Sequence, residues 1–256
     1  MSLPHVYVYG IARSDQLGSA EGLGPGLAGG AVEVIQLAGL SVITEPAPEA
    51  ELAPTRRYML THTAVLERAL VRASVLPMRF GTIAPDAASL ERCVEANAAA
   101  FAAALAEIDG RIELGVKASW REGLIFREII DADPALRAMR DRLVSRPASE
   151  TYYERIELGR QVEAALIARR AREAEAIVAT LRPLADRSVA QKLLDEAMIV
   201  NESFLVRRDR EAAFDRAMED LAARTGERLV LRYVGPVPAY NFVSVRADWL
   251  TQHAEG

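Results

Sequence analysis

An α+β fold built from two two-layer units is predicted by three features of the chain. Runs with the period-two alternation of strands are interleaved with amphipathic runs of helical period. The order strand, helix, strand occurs twice, over residues 75–120 and 197–234, and each helix is long enough to cross back over a sheet. With 256 residues, 50% of them hydrophobic, the chain carries enough apolar surface to give each unit a core. Strands and helices in this arrangement pack as ferredoxin-like two-layer units, modified here by a long helix in the second half. The boundary is placed in the stretch 131–147, so residues 1–130 form an N-terminal ferredoxin-like α+β domain. Residues 131–256 form a C-terminal domain of the long helix plus a modified ferredoxin-like unit.

The elements follow in order. Residues 5–11 (HVYVYGI) alternate and are aromatic or β-branched, which is a strand. Residues 18–30 read as a flexible glycine-rich loop, and residues 32–37 and 40–45 as two strands joined at Ala38-Gly39. Pro46, Pro48 and Pro54 make residues 45–54 a connector. Residues 57–73 repeat Tyr58, His62, Val65, Leu66, Ala69 and Ala73 on one helical face. Residues 75–82 (VLPMRFGT) are extended, with Pro77 marking an edge or a bend. Residues 86–108 form a second helix and 111–120 a strand with Ile112, Leu114, Val116, Ala118 and Trp120 on one side. Residues 122–147 are less regular, with a short helix after Asp133-Pro134. A long helix follows over 149–181, ended by Pro183; its dense charges put much of it in water. Then come a strand at 197–207, a helix at 209–224 capped by Asp209 and stopped by Gly226, a strand at 227–234, and a strand-like run at 240–245.

Composition excludes several classes of function. Cys93 is the single cysteine, so no disulfide framework exists. One cysteine with His5, His62 and His253 is a thin supply for a multi-ligand metal site, and no metal or cofactor is expected. The net charge of −5 argues against nucleic acid as the main partner. Lys117 and Lys192 are the only lysines, the other bases being arginine, as a GC-rich coding bias produces. The N-terminus has neither the basic nor the apolar region of a signal peptide, and no uncharged apolar run reaches membrane-spanning length, so a cytoplasmic location is expected.

Motifs with chemistry are weak. Gly24-Pro-Gly-Leu-Ala-Gly29 matches G-x-G-x-x-G, but a β pattern follows where a dinucleotide site needs a helix N-terminus. His62 lies on an apolar helix face with no nucleophile or acid placed beside it, which reads as a packed, hydrogen-bonded histidine. Cys93 reads as a small buried hydrophobe, and the arginines around Arg169-Arg170-Ala-Arg172 as a solvated helix face. No catalytic residue is assigned. Two rigid segments remain, Val75-Leu-Pro-Met-Arg-Phe-Gly-Thr82 and Tyr233-Val-Gly-Pro-Val-Pro-Ala-Tyr-Asn-Phe-Val243. In the second, Gly235 permits a tight bend while Pro236 and Pro238 fix two φ angles. Each is either an ordered sheet edge or a pre-ordered surface for a protein partner.

These segments carry a resemblance to gas vesicle accessory proteins of the GvpF/GvpL family. It extends through Val6-Tyr-Val-Tyr-Gly-Ile11, the helix with His62, the LP-x-RFGT segment, Glu113-Leu-Gly-Val-Lys-Ala-Ser-Trp120, Leu158-Gly-Arg160, Phe204-Leu-Val-Arg207 with the Asp209–Phe214 stretch, and GP-x-P-x-Y-x-F ending at Val243. The resemblance implies a non-enzymatic protein associated with gas vesicles. It would bind the small hydrophobic major shell protein, and other accessory proteins, preventing aggregation or helping to start the shell. Apolar shell surfaces aggregate unless covered, and a binder needs an exposed edge or apolar surface rather than a pocket. The candidate partner-binding residues are Met78, Arg79 and Phe80 in the N-terminal domain, where Pro77 leaves a backbone edge open, and Tyr240 and Phe242 as a competing surface. Two alternatives stay open at this point. One is a small-molecule-binding regulator or enzyme in which His62, Arg79 and Lys117 converge on a pocket. The other is an RNA module stacking bases on Tyr7 and Tyr9.

Overall fold

Residues 5–121 and 123–243 are described by the computed structural model of the chain. Among them the chain forms two antiparallel sheets and six α-helices. The first sheet contains β1 (Val6–Arg13), β2 (Glu33–Leu37), β3 (Leu40–Pro46), β4 (Val75–Pro77) and β5 (Ile83–Ala84), in the order β2-β3-β1-β4 with β5 also on β1. β1 pairs with β3 from Val6 opposite Pro46 to Arg13 opposite Leu40, and a bulge at Val8–Gly10 shifts the register midway. Two helices belong to this region, α1 (Arg56–Leu70) and α2 (Ala87–Ile108). Thr55 caps α1 by accepting from the Tyr58 N–H (3.3 Å), and Asp86 caps α2 by accepting from the Ser89 N–H (2.7 Å). Tyr7, Tyr9 and Ile43 of the sheet pack with Val65, Leu66 and Ala69 of α1 in one buried cluster.

The second sheet contains β6 (Arg111–Trp120), β7 (Arg187–Ala190), β8 (Met198–Arg207) and β9 (Leu229–Val237), in the order β7-β8-β6-β9. Three helices, α3 (Leu124–Ala132), α4 (Pro134–Val144) and α5 (Tyr152–Leu181), connect β6 to β7, and α6 (Glu211–Thr225) connects β8 to β9. The alternation expected on β6 is present: Ile112, Leu114, Val116, Ala118 and Trp120 are all buried. Phe204 of β8 packs on Phe214 of α6, with ring centroids 5.3 Å apart.

The chain divides into two compact units, one of residues 1–114, 205–208 and 235–256 and one of residues 115–204 and 209–234. The unit boundaries fall inside β6, β8 and β9 and in the 3₁₀ turn Arg208–Arg210. Residue 130, where the sequence places the end of a domain, lies within α3.

Several local expectations are corrected. Residues 18–30 are a packed element rather than a flexible one: Leu23 and Leu27 join the core with Leu17, at 2% exposure or less. Glycines carry the turns, while the leucines between them supply the burial that orders the segment. The stretch read as irregular is mostly helix. Ile125 and Ile129 of α3, then Leu136 and Leu143 of α4, present apolar faces at helical spacing. Asp133 caps α4 with Pro134 at the first helical position, as expected. The N-cap of α6 is Arg210, not Asp209, because a 3₁₀ turn over Arg208–Arg210 precedes the helix. Gly226 ends it as expected. β7 is an element that four residues of weak alternation did not reveal. Residues 240–242 form a turn rather than a strand; residues 244 and 245 of that expected run lie outside the described residues.

Candidate functional site

β4 and β5 line the same side of β1, and between them residues 78–82 leave the ladder. Both ends of this excursion are tied to β1: the Met78 N–H donates to the Tyr9 carbonyl (2.9 Å), and the Val8 N–H to the Thr82 carbonyl (2.9 Å). Thr82 closes the turn, its hydroxyl donating to the Arg79 carbonyl at 2.7 Å. The LP-x-RFGT segment is thus an interrupted strand whose middle is lifted out. Val75, Leu76, Pro77 and Met78 are buried, Arg79 is exposed, and Phe80 is half-buried against the core. α1 and α2 pack on β4.

Beneath the turn lies a buried polar cluster. Tyr7 and Tyr9, at positions two apart on β1, project from the same face, their rings edge to face at 4.9 Å. The His62 Nε2 lies 3.1 Å from the Met78 carbonyl, which only accepts, so Nε2 carries the proton. Nδ1 then accepts from the Tyr7 hydroxyl at 2.8 Å. The Tyr7 hydroxyl in turn accepts from the Gly81 N–H at 3.3 Å. Burial lowers the His62 pKa to about 4, so the ring is neutral in this arrangement. The Tyr9 hydroxyl donates to Glu45, and the Leu27 N–H reaches Glu45 Oε1 at 2.6 Å. Glu45 is 2% exposed. A Cβ on Gly26 would fall on its carboxylate, so the loop needs glycine at this point.

The second rigid segment is pinned by another buried carboxylate. Glu113, 4% exposed, accepts from both the backbone N–H (2.9 Å) and the side-chain amide (2.5 Å) of Asn241. Gly235 sits at φ +133°, and a Cβ there would meet the Glu113 carbonyl oxygen at 2.8 Å. Phe242 is buried, while Tyr240 keeps 37% of its surface exposed. Burial holds the Tyr240 phenol above its ordinary pKa, and the Glu67 and Glu113 carboxylates push the same way. Tyr7 is likewise raised, chiefly by burial, with Glu45 and Tyr240 adding to it. The 78–82 turn is thus bonded to Tyr7 through the Gly81 N–H, and Tyr240 belongs to the same unit, its phenol adding to the raised pKa of Tyr7.

Of the five candidate residues, Arg79, Phe80 and Tyr240 reach the surface, while Met78 and Phe242 support them from below. His62 and Arg79 belong to the first unit, and Lys117 to the second. Tyr7 and Tyr9 are fully buried and offer no stacking platform. Sequence reasoning missed Glu45 and Glu113. Their signal was a carboxylate inside an otherwise apolar strand, at LSVITE and RIELGV. Among the described residues no group of three His, Cys, Asp or Glu side chains is placed to hold a metal, and no helix is long and apolar enough to cross a membrane.

Comparison with known proteins agrees with this architecture. A gas vesicle protein F of Streptomyces sp. (strain CB03234) is 34% identical over 239 residues, covering 93% of this chain and 98% of that protein. The crystal structure of GvpF from Anabaena sp. PCC7120 superposes with a TM-score of 0.82 at 24% identity, over 95% of this chain and 99% of the other. That of GvpF from Microcystis aeruginosa gives 0.78 at 23% identity, over 94% and 99%. The profile of the family described as gas vesicle synthesis protein GvpL/GvpF matches residues 5–244, nearly the full span of both sheets and their helices, and the chain belongs to that family.

Proposed function

We propose that this protein is a non-enzymatic component of gas vesicle formation that binds the small hydrophobic major shell protein. It would keep that protein from aggregating or help nucleate the vesicle, and it would reside with the vesicle in the cytoplasm. Other accessory proteins of the same assembly are further partners in this reading. The observation that carries it is the use of the buried polar groups. Both His62 nitrogens and the Tyr7 hydroxyl are engaged in holding the 78–82 turn, and the Glu113 carboxylate in holding Asn241 beside Tyr240. A site that spends its titratable groups on rigidity presents a pre-ordered surface, and pre-ordering lowers the entropic cost of binding a partner.

The proposed contact surface is in the first unit, at Arg79, Phe80 and Tyr240, with Met78 and Phe242 as their buried supports. Each sheet supports the ferredoxin-like description of its region. Numbered along the chain, both have the strand order second-third-first-fourth.

The test is co-expression of the full chain with the shell protein. Arg79→Glu combined with Tyr240→Ala is expected to lower both the soluble fraction of shell protein and its recovery in a pull-down by about tenfold, as loss of a contact hot spot does. Recovery equal to wild type, with the variant folded by circular dichroism, would overturn the assignment of this surface.

A further inference from the structure

One face of the second sheet is left partly exposed. Gly115, Lys117 and Ser119 of β6 point away from its buried side, and Val230, Arg232 and Val234 of β9 lie on the same face. Lys117, Ser119, Val230 and Arg232 line one cleft of about 300 Å³, and Val234 lies 3.8 Å from where a Cβ on Gly115 would be. Leu194, which also lines the cleft, is 67% exposed, with Val230 at 40% and Val234 at 53%. These residues all belong to the second unit. Lys117 and Arg232 have no ion-pair partner among the described residues. β9 ends the sheet order, so its outer backbone edge pairs with no strand among the described residues. An edge strand with exposed aliphatic side chains is a ready template for another strand.

The charges select the occupant. β9 reads LVLRYVGPV and contains no acid. Pairing two copies edge to edge would give Arg232 no opposite charge and can set it against its own counterpart. Nucleic acid calls for a run of cations, whereas this cleft has two, with Asp195 on its wall. We propose that this face docks an extended segment of a partner protein that adds to the β9 edge and carries a carboxylate between aliphatic residues. The carboxylate meets Lys117 and Arg232, and the aliphatic side chains cover Val230, Val234 and Leu194. This docking does not depend on the shell-protein reading or on the Arg79 and Tyr240 surface.

In an extended segment, residues two apart share a face. The probe is therefore the peptide acetyl-Val-Thr-Glu-Thr-Val-amide, with its Gln analogue as control, titrated into the ¹⁵N-labelled full chain. The expected result is saturable amide shifts at residues 229–234 and 117–119, with the Gln peptide binding about fivefold more weakly, the range of an exposed ion pair. The Lys117→Ala/Arg232→Ala variant should bind both peptides alike, and Arg232→Gln supplies the same readout should the double variant fold poorly. Equal binding of the two peptides to the wild-type chain, or no saturable shift at millimolar peptide, would overturn the proposal. So would competition by inorganic phosphate as strong as by the peptide, which marks a plain anion site.

Discussion

The two sheets share one strand order but join their first and second strands differently. In the first sheet the connection from β1 to β2 is a glycine-rich loop; in the second, from β6 to β7, it is three helices. The loop is held by one buried carboxylate, Glu45, bonded to Tyr9 and to the Leu27 and Ala28 N–H groups. The helices are held partly by a half-exposed ion network. Arg228 of the β9 approach forks onto Glu128 of α3 (2.7 Å) and Glu173 of α5 (2.6 Å), and Trp120 Nε1 donates to Glu173 (2.8 Å). The loop buries Leu17, Leu23 and Leu27 but forms no helix, so its order also rests on a few bonds in a low-dielectric site, where each is strong and its loss is costly. Helices bring apolar faces of their own, and their ion pairs stay within reach of water and salt.

The sharpest way to break this comparison is Glu45→Ala. It takes away the acceptor of the buried Tyr9 hydroxyl and leaves the Leu27 N–H only its bond to the Tyr9 oxygen (3.0 Å), and is expected to cost about 3 kcal/mol in urea unfolding, typical of a disrupted buried network. Residues 18–30, whose packing is expected to resist protease in the wild-type chain, should become the first site of nicking, and amide exchange at Leu27 should speed up. A loop that stays resistant in the variant would mean that Leu17, Leu23 and Leu27 order it unaided.

Next in size is a pH effect in the same unit. His62 has a folded pKa of about 4 against an ordinary value of 6.5. Between those values the unfolded chain binds a proton that the folded chain refuses, so stability is full above pH 6.5 and falls as pH drops toward 4. The integrated loss is about 3 kcal/mol at most. His62→Gln should flatten this slope. An unchanged slope in that variant would assign the acid sensitivity to other groups.

Tyr7→Phe is smaller. It removes the donor to His62 Nδ1 and the acceptor of the Gly81 N–H, for about 1–2 kcal/mol. Because the Gly81 N–H belongs to the turn that presents Arg79 and Phe80, its exchange rate should rise more than those of β3. Equal changes in both would make Tyr7 a general packing residue rather than a tether of that turn.

What was legible in the sequence follows the same division. Apolar periodicity exposed β1, β3, α1, α2, β6, β8 and α6, because each buries a face of its own. The helix at Asp133-Pro134 and the stop at Gly226 were legible because capping is a local code. The packing of residues 18–30 was not, since it depends on Glu45, which β3 brings to Leu27 from 18 residues away in sequence. Glu113 was hidden for the same reason: its partner Asn241 is 128 residues distant. The bond from the Gly81 N–H to the Tyr7 hydroxyl, 74 residues apart, required the strand order itself. For α3, the period was present in LIFREIIDA, but a helix of nine residues carries too few repeats to stand out beside the charged stretch that follows.

The smallest predicted effect is also the one that separates the two regions most cleanly. Within the network, burial works to raise the Glu173 pKa, but the bonds from Arg228, Arg169 and Trp120 outweigh it and hold the carboxylate below its usual range. Those bonds contribute stability above the ordinary carboxylate pKa and lose it as pH falls below. Arg228 is 30% exposed and Glu128 34% exposed, so water and salt screen part of the attraction. Arg228→Ala is therefore expected to cost only about 1 kcal/mol at low ionic strength, and roughly half of that in 1 M sodium chloride. The cost of Glu45→Ala should be unchanged by the same salt, since its partners are an uncharged hydroxyl and backbone N–H groups rather than ions. Hydrogen exchange on α3 and α5 gives the local readout for the first variant, and on residues 27 and 28 for the second. Equal salt dependence in the two variants would mean that both crossovers are held by the same kind of interaction, and the contrast between them would fail.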